Sequence, residues 1–328
     1  MLNTHFLYLL GHLRLIEEQH SVTSLNRSGI GLIGPVEHNQ LYMRAVKQSA
    51  HHSQLKSACN LSSPYPSLDY YSEQKKKIEQ LISHEEIDSI IVTEICSDEI
   101  LRYTLNMAIA AGKDVLLSNI PNYSNEELEQ LQRQATKNDV LIDYSQPLYF
   151  DKQFAQIKRT LQNEQLLDTG LLRLSAHRMI EAQNRLSLNI LRAMLAQKVE
   201  LLITLLSDVT FSALSIQYSH PLKQMEDGDV LIINFKHKGG LLVSLELFFN
   251  TGDVSDKLSL KQCNNSYEIE NKRYINQSID EDNVVFKQLD QFVLKIRNDI
   301  KLPPTSHWEH TNRLTNELLK QLSQSGFI

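Results

Sequence analysis

Residues 85–121 read EEIDSIIVTEICSDEILRYTLNMAIAAGKDVLLSNIP. Ser89 to Val92 is short and apolar on every side, as a parallel strand buried on both faces should be. Glu99 to Ala111 has helical character and stops at Gly112, a residue suited to a helix C-terminus. Val115 to Leu117 is apolar again. Strand, helix and strand in so short a space make a βαβ unit.

The same rhythm extends outward. Upstream, Ile30 to Ile33 reads as a buried strand ending at Gly34-Pro35. A helical stretch over about 39–49, a strand candidate at Leu55 to Cys59, a loop with Pro64 and Pro66, and a helix at Glu73 to Ile82 follow. Downstream, Ser124 and Glu127 have the S-x-x-E spacing of a capping box. They open a helix that runs to about Asn138, and Val140 to Asp143 is a fifth strand. This alternation predicts an α/β architecture with a parallel, doubly wound sheet over 29–147. Such sheets bind ligands at the carboxyl ends of their strands. Function is therefore expected after Ile33, Cys59, Val92 (that is, at Thr93) and Leu117.

The second half, 148–328, differs. Phe154 to Leu161 and Leu188 to Leu206 are helical. Strand candidates follow at Phe211 to Tyr218, Val230 to His237, Leu241 to Phe249, Leu258 to Gln262 and Tyr267 to Ile269, with Gly239-Gly240 as a hairpin turn. Asn283 to Asn298 and His310 to Ser323 are closing helices. The expectation is an α+β domain with a large, mainly antiparallel open sheet, one face of it on helices. Residues 1–28 form a preface in which Phe6, Leu9, Leu10, Leu13 and Ile16 fall at helical spacing. Phe6 to Leu10 also fits a short strand.

The chain has 328 residues, 41% of them hydrophobic and 22% charged, with 33 Lys plus Arg against 39 Asp plus Glu, a formal net charge of −6. The length suits two domains. The acidic balance excludes a basic nucleic-acid-binding surface. The densest basic run, Lys75-Lys76-Lys77, is followed by Glu79, Glu85 and Glu86 and reads as a solvated helix face. Cys59, Cys96 and Cys263 lack zinc-site spacing and cannot all pair, so reduced thiols are the simplest reading. No apolar run is long enough to span a membrane. The first residues lack a basic n-region and a cleavage site, so a cytoplasmic location is expected.

From about Gly29 to Leu322 the chain resembles the Gfo/Idh/MocA oxidoreductases, the group of glucose–fructose oxidoreductase and inositol dehydrogenase. Residues 85–121, with AAGKDVLL the closest match, look like that family's third and fourth strands. YFDKQFAQIKRTLQNEQLLDTGLLRLS (149–175) is similar to its crossover into the second domain. EDGDVLIINFKHKGGLLVSLELFF (226–249) is similar to the first strands of its large sheet, and FKQLDQFVLKIRNDIKLPP (286–304) to its C-terminal helix. The resemblance implies a Rossmann-like domain that binds NAD or NADP. It also implies hydride transfer on a sugar, polyol or similar carbon, with a Lys from an E-K-P turn and an Asp/His pair from a second-domain helix handling the proton.

The positions that should carry this chemistry depart together. A literal G-x-G-x-x-G exists at Gly29, Gly31 and Gly34, but Ile30 to Ile33 is itself the strand, so the motif is out of frame. In the family register Gly34 is the first motif glycine, Val36 the second and Asn39 the third. Val36 adds bulk where the backbone should approach a pyrophosphate, and Pro35 removes an N–H. Asn60 stands where an acidic residue would grip the ribose. The E-K-P turn falls at Ser118-Asn119-Ile120, with Pro121 one place late, so Asn119 replaces the Lys. In RAMLAQKVELLITLLS (192–207), Glu200 takes the last acidic place, Gln197 the His position and Ala193 the Asp position. A one-residue shift puts Lys198 and Met194 there instead.

Other candidates are weaker. His51-His52 reads as a solvated helix end. His307, Glu309 and His310 lack a further ligand nearby, so no metal is expected. Trp308 reads as a core anchor. His177 and Arg178 follow a strand at Leu171 to Ser175, in a region that faces the substrate cleft in the family. Arg178, Glu181, Arg185 and Lys198 either line a polar pocket for an anion or are ordinary surface charges. The expectation is thus a non-catalytic relative with a binding, sensing or scaffold role and no nicotinamide cofactor. The alternative is an active NAD(P)-dependent oxidoreductase with an atypical cofactor grip. The apolar run LLVSLELFF suggests a homodimer through the second-domain sheet.

Overall fold

The computed structural model describes residues 28–48, 53–61, 68–93, 98–118, 121, 123–144, 147–162, 170–178, 188–206, 209–224, 228–237, 240–249, 255–262, 266–272, 284–299 and 306–328. The preface helix, His51-His52, Asn119 and residues 181 and 185 lie outside them.

Strands β1 (Ser28–Gly34), β2 (Ser53–Asn60), β3 (Ser89–Val92), β4 (Asp114–Leu117) and β5 (Ile142–Tyr144) form a parallel sheet in the order β2-β1-β3-β4-β5. The order reverses between β1 and β3, which makes their carboxyl ends the switch point. Helices α2 (Leu68–Ile82), α3 (Asp98–Ala110) and α4 (Asn125–Lys137) cover the face that carries Ile33, Ile90, Val92, Val115, Leu117 and Ile142. Helix α4 starts with the expected capping box: Glu127 N donates to Ser124 Oγ, and Ser124 N donates to Glu127 Oε2. Helix α1 (Val36–Gln48) lies on the other face, over Ile30, Leu32, Ile91, Leu116 and Leu141.

That second face is completed from far along the chain. Helix α7 (Val284–Arg297) packs Val285, Leu289, Phe292 and Val293 into the same cluster. Tyr42 Oη donates to Gln288 Oε1 at 2.9 Å, and Lys295 pairs with Asp143 at 2.8 Å. Trp308, in α8 (Ser306–Gln324), is buried in the α2–α3–α4 cluster and so anchors the closing helix, as expected.

Helix α5 (Lys152–Leu161) leads into the second sheet. Its strands are β6 (Leu171–Arg178), β7 (Ser212–Tyr218), β8 (Val230–Lys236), β9 (Leu242–Phe249), β10 (Ser255–Lys261) and β11 (Ser266–Lys272). The order is β11-β10-β6-β9-β8-β7. Only β6 and β9 pair in parallel, so the sheet is mainly antiparallel. Leu172, Leu174, Ile233, Phe235, Leu245, Leu247 and Leu258 face α5, α8 and helix α6 (Leu188–Leu205).

The opposite face is mixed rather than apolar. One row across it runs Gln217, Ile232, Glu246, Ser175, Lys257, Glu270. Arg173 Nε reaches Glu246 at 2.8 Å and Lys257 reaches Glu270 at 3.0 Å. Leu242 is its most exposed apolar side chain, at 54%. The wholly apolar open face inferred from LLVSLELFF is corrected here: strand alternation turns Val243, Leu245, Leu247 and Phe249 inward and sends Leu242, Ser244, Glu246 and Phe248 to the open side.

Candidate functional site

The literal glycine motif lies inside β1, as the strand reading required. A Cβ on Gly29 would stand 1.7 Å from the Glu86 carbonyl oxygen, and one on Gly31 2.7 Å from the Leu81 side chain. These glycines serve close packing against the α2–β3 connection and do not line a ligand cradle.

At the switch point the structure brings Gly34, Asn39, Asn60 and Thr93 together. Asn39 is fully buried in the first turn of α1. Its Nδ2 lies 3.0 Å from the Gly34 carbonyl oxygen, 3.2 Å from that of Cys59 and 2.9 Å from Asn60 Oδ1. Its Oδ1 accepts from Thr93 Oγ1 at 3.1 Å. Backbone bonds close the same corner: Thr93 N donates to the Ile33 carbonyl and Leu61 N to that of Gly34, each at 2.9 Å. One amide side chain therefore ties the ends of three strands, and its oxygen and both amide protons are engaged. Val36, the first residue of α1, is 41% exposed at the mouth of this corner. Burial pushes the neighbouring Cys59 thiol up to about 11, with Lys77 opposing.

The second-domain wall comes from α6. Ala193 and Gln197 are partly exposed on it, whereas Lys198 and Glu200 are buried. Lys198 Nζ pairs with Asp256 Oδ1 at 2.5 Å and pins α6 under the sheet. Both readings of Lys198, as part of an open anion pocket and as an ordinary surface charge, are corrected: its side chain is buried on the core side of β10. Glu200 sits beside Thr204, whose Oγ1 lies 3.3 Å from Glu200 Oε1 and 3.0 Å from Tyr149 Oη. Burial first and the Glu200 charge second push the Tyr149 hydroxyl well up. Burial lowers Lys158 nearby, with Glu200 opposing. His177 is not directed to the helix-covered side. Strand alternation puts it on the open face of the sheet, stacked on Phe248 with ring centroids 4.6 Å apart. Arg178 ends the same strand.

One contact that the sequence did not reveal joins the two domains. Asn312 of α8 donates through Nδ2 to the carbonyls of Pro121 and Tyr123, at 3.3 Å each, in the segment after β4. Its Oδ1 accepts from Nη2 of Arg192 on α6, at 2.8 Å. Neither residue belongs to a motif, and their separation of 120 positions leaves no local signal. No group of three or more metal-ligating side chains exists among the described residues, and no described helix is long and apolar enough to cross a membrane.

No family model and no curated protein matches this sequence. Solved structures do match its fold. The scyllo-inositol dehydrogenase from Lactobacillus casei superposes with a TM-score of 0.62 at 11% identity, over 93% of this chain and 99% of that one. The myo-inositol 2-dehydrogenase from Lactobacillus plantarum gives 0.61 at 13%, over 92% and 97%. GenD2 from gentamicin A biosynthesis, solved in complex with NAD, gives 0.59 at 12%, over 94% and 96%. A parallel sheet switched at β1/β3, a mainly antiparallel second sheet, and agreement with these enzymes over nearly their whole length together show that this chain has the two-domain fold of the Gfo/Idh/MocA-type oxidoreductases.

Proposed function

We propose that this chain is a non-catalytic relative of these dehydrogenases, a binding or sensing protein that keeps their frame without their nicotinamide chemistry. The observation that carries the reading is Asn39. Dinucleotide sites need small residues at this turn so that the helix N-terminus can meet the pyrophosphate. Here the third motif position holds a buried amide bonded to three strand ends. Pro35 offers no N–H, and Val36 adds a side chain at the mouth. Asn39 lies beneath the corner with its amide bonded inside the protein, and the mouth altered at Pro35 and Val36 does not fit a close-held pyrophosphate. The proton-handling positions agree, because Ala193 and Gln197 offer no group that titrates near neutrality.

Calorimetric titration with NAD, NADH, NADP and NADPH tests the reading. The expected outcome is no binding tighter than about millimolar, a free energy weaker than roughly −4 kcal/mol. Micromolar affinity, or a nicotinamide cofactor carried through purification, would overturn it in favour of an active NAD(P)-dependent oxidoreductase.

A further inference from the structure

Arg192 on α6 is 6% exposed, yet among the described residues its guanidinium makes a single hydrogen bond, from Nη2 to the neutral amide of Asn312. Nε is buried and has no acceptor. Among the described residues no carboxylate forms an ion pair with it. Asp98, in the first turn of α3, adds an attractive field, and Arg102 a repulsive one. Arg102 is itself paired with Glu127 and lies over the Tyr123 ring at 4.7 Å. Burial pulls the Arg192 guanidinium down to about 10. Asn312 has nothing further to give, since its Nδ2 serves the Pro121 and Tyr123 carbonyls.

A guanidinium removed from water is costly unless a counter-charge and acceptors receive it. Five N–H donors in a flat fork match the oxygens of a carboxylate or phosphate better than any other partner. Arg192 immediately precedes Ala193, a partly exposed position of α6, and Asn312 fixes its fork against the chain that follows β4. A groove of about 510 Å³ between α3 and α4 is lined by Arg102 and Tyr123; Arg192 does not line it, but Asn312 bonds both Arg192 and the Tyr123 carbonyl. We propose that Arg192 anchors a binding site for a small organic anion, gripping its carboxylate or phosphate group through Nε, with Asn312 as the positioning residue. The site goes beyond the non-catalytic reading and does not depend on it.

The test is calorimetry on the full chain with inorganic phosphate and with malonate, each against chloride at matched ionic strength. Neither probe carries a nucleotide, so the result is separable from the dinucleotide titration. Saturable binding of at least one probe is expected; phosphate alone points to a phosphate-bearing ligand, malonate alone to a carboxylate. Arg192→Gln should weaken that binding about tenfold or more, the loss of one charge-assisted hydrogen bond. Arg192→Lys should recover it only in part, because an ammonium keeps the charge and loses the fork. If Arg192→Gln fails to fold, the Nε–Hε resonance of Arg192 in the wild-type protein decides, and it should shift on titration. No saturable binding of either probe, a still resonance at saturation, or equal binding by a folded Arg192→Gln protein overturns the proposal.

Discussion

At the scale of single residues, Asn39 and Arg192 are opposite cases of buried polarity. Asn39 engages its amide oxygen and both amide protons within the protein and so stabilises the switch point. Replacing it with Ala would leave the Cys59 carbonyl, Asn60 Oδ1 and Thr93 Oγ1 without that partner. Each group so stranded costs about 1–3 kcal/mol, less where water can reach it. Asn39→Ala should therefore lower the unfolding free energy by about 2–4 kcal/mol, read as a fall in the denaturant midpoint at unchanged m-value. A loss under about 0.5 kcal/mol would mean that the network is dispensable. Arg192 has bonded capacity left over, and for that reason it marks a binding site where Asn39 does not.

At the scale of elements, α6 is tied to the second sheet by a buried ion pair. Its exposed side presents Ala193 and Gln197, and its buried side holds Lys198 against Asp256 of β10. The pair is buried at both ends, 2% and 7% exposed at the side chains, so it is not a screened surface bridge. Removing one partner leaves a buried charge without its ion pair; removing both trades the pair for apolar packing. Lys198→Met should cost about 3–5 kcal/mol, whereas Lys198→Met with Asp256→Leu should come within roughly 1–2 kcal/mol of the parent. A double-mutant cycle in urea reads the difference directly. Additive single effects would show that α6 and β10 are not coupled through this pair.

At the scale of the whole molecule, the chain interleaves its halves. The face of the first sheet that carries Ile30, Leu32, Ile91, Leu116 and Leu141 is closed by α1 and by Val285, Leu289, Phe292 and Val293 of α7. Burial of such side chains contributes about 1.5–3 kcal/mol each. Together the α7 residues therefore rival the roughly 5–15 kcal/mol net stability of a domain. A fragment of residues 28–147 should not fold cooperatively, and should expose apolar surface that binds a hydrophobic dye. A fragment of the same span with a sharp thermal transition and dispersed amide resonances would refute this. The full chain should unfold with both sheets coupled, because α8 also serves both cores through Trp308 on one side and Leu314, Leu318 and Leu322 on the other.

The sequence by itself determined the alternation of elements in the first half. Short strands buried on both faces are apolar throughout, and the S-x-x-E box of α4 and the glycine after α3 are local signals. It also placed Asn60 and Thr93 at strand ends and Asn39 at the start of the helix after the first strand, places that must converge because parallel βαβ units leave those ends on one edge. What Asn39 does there depended on tertiary structure, since its acceptors come from residues up to 21 positions away and its donor from Thr93, 54 positions away. The open face of the second sheet misled the sequence reading, because an apolar run does not tell which alternate residues face inward until its neighbours are paired. Lys198, His177 and Arg192 were decided by folding alone. A charged side chain carries no local mark of whether it will meet Asp256, stack on Phe248 or be buried with a donor unspent; only the long-range packing of α6, α8 and the sheets sets its partner and its solvent.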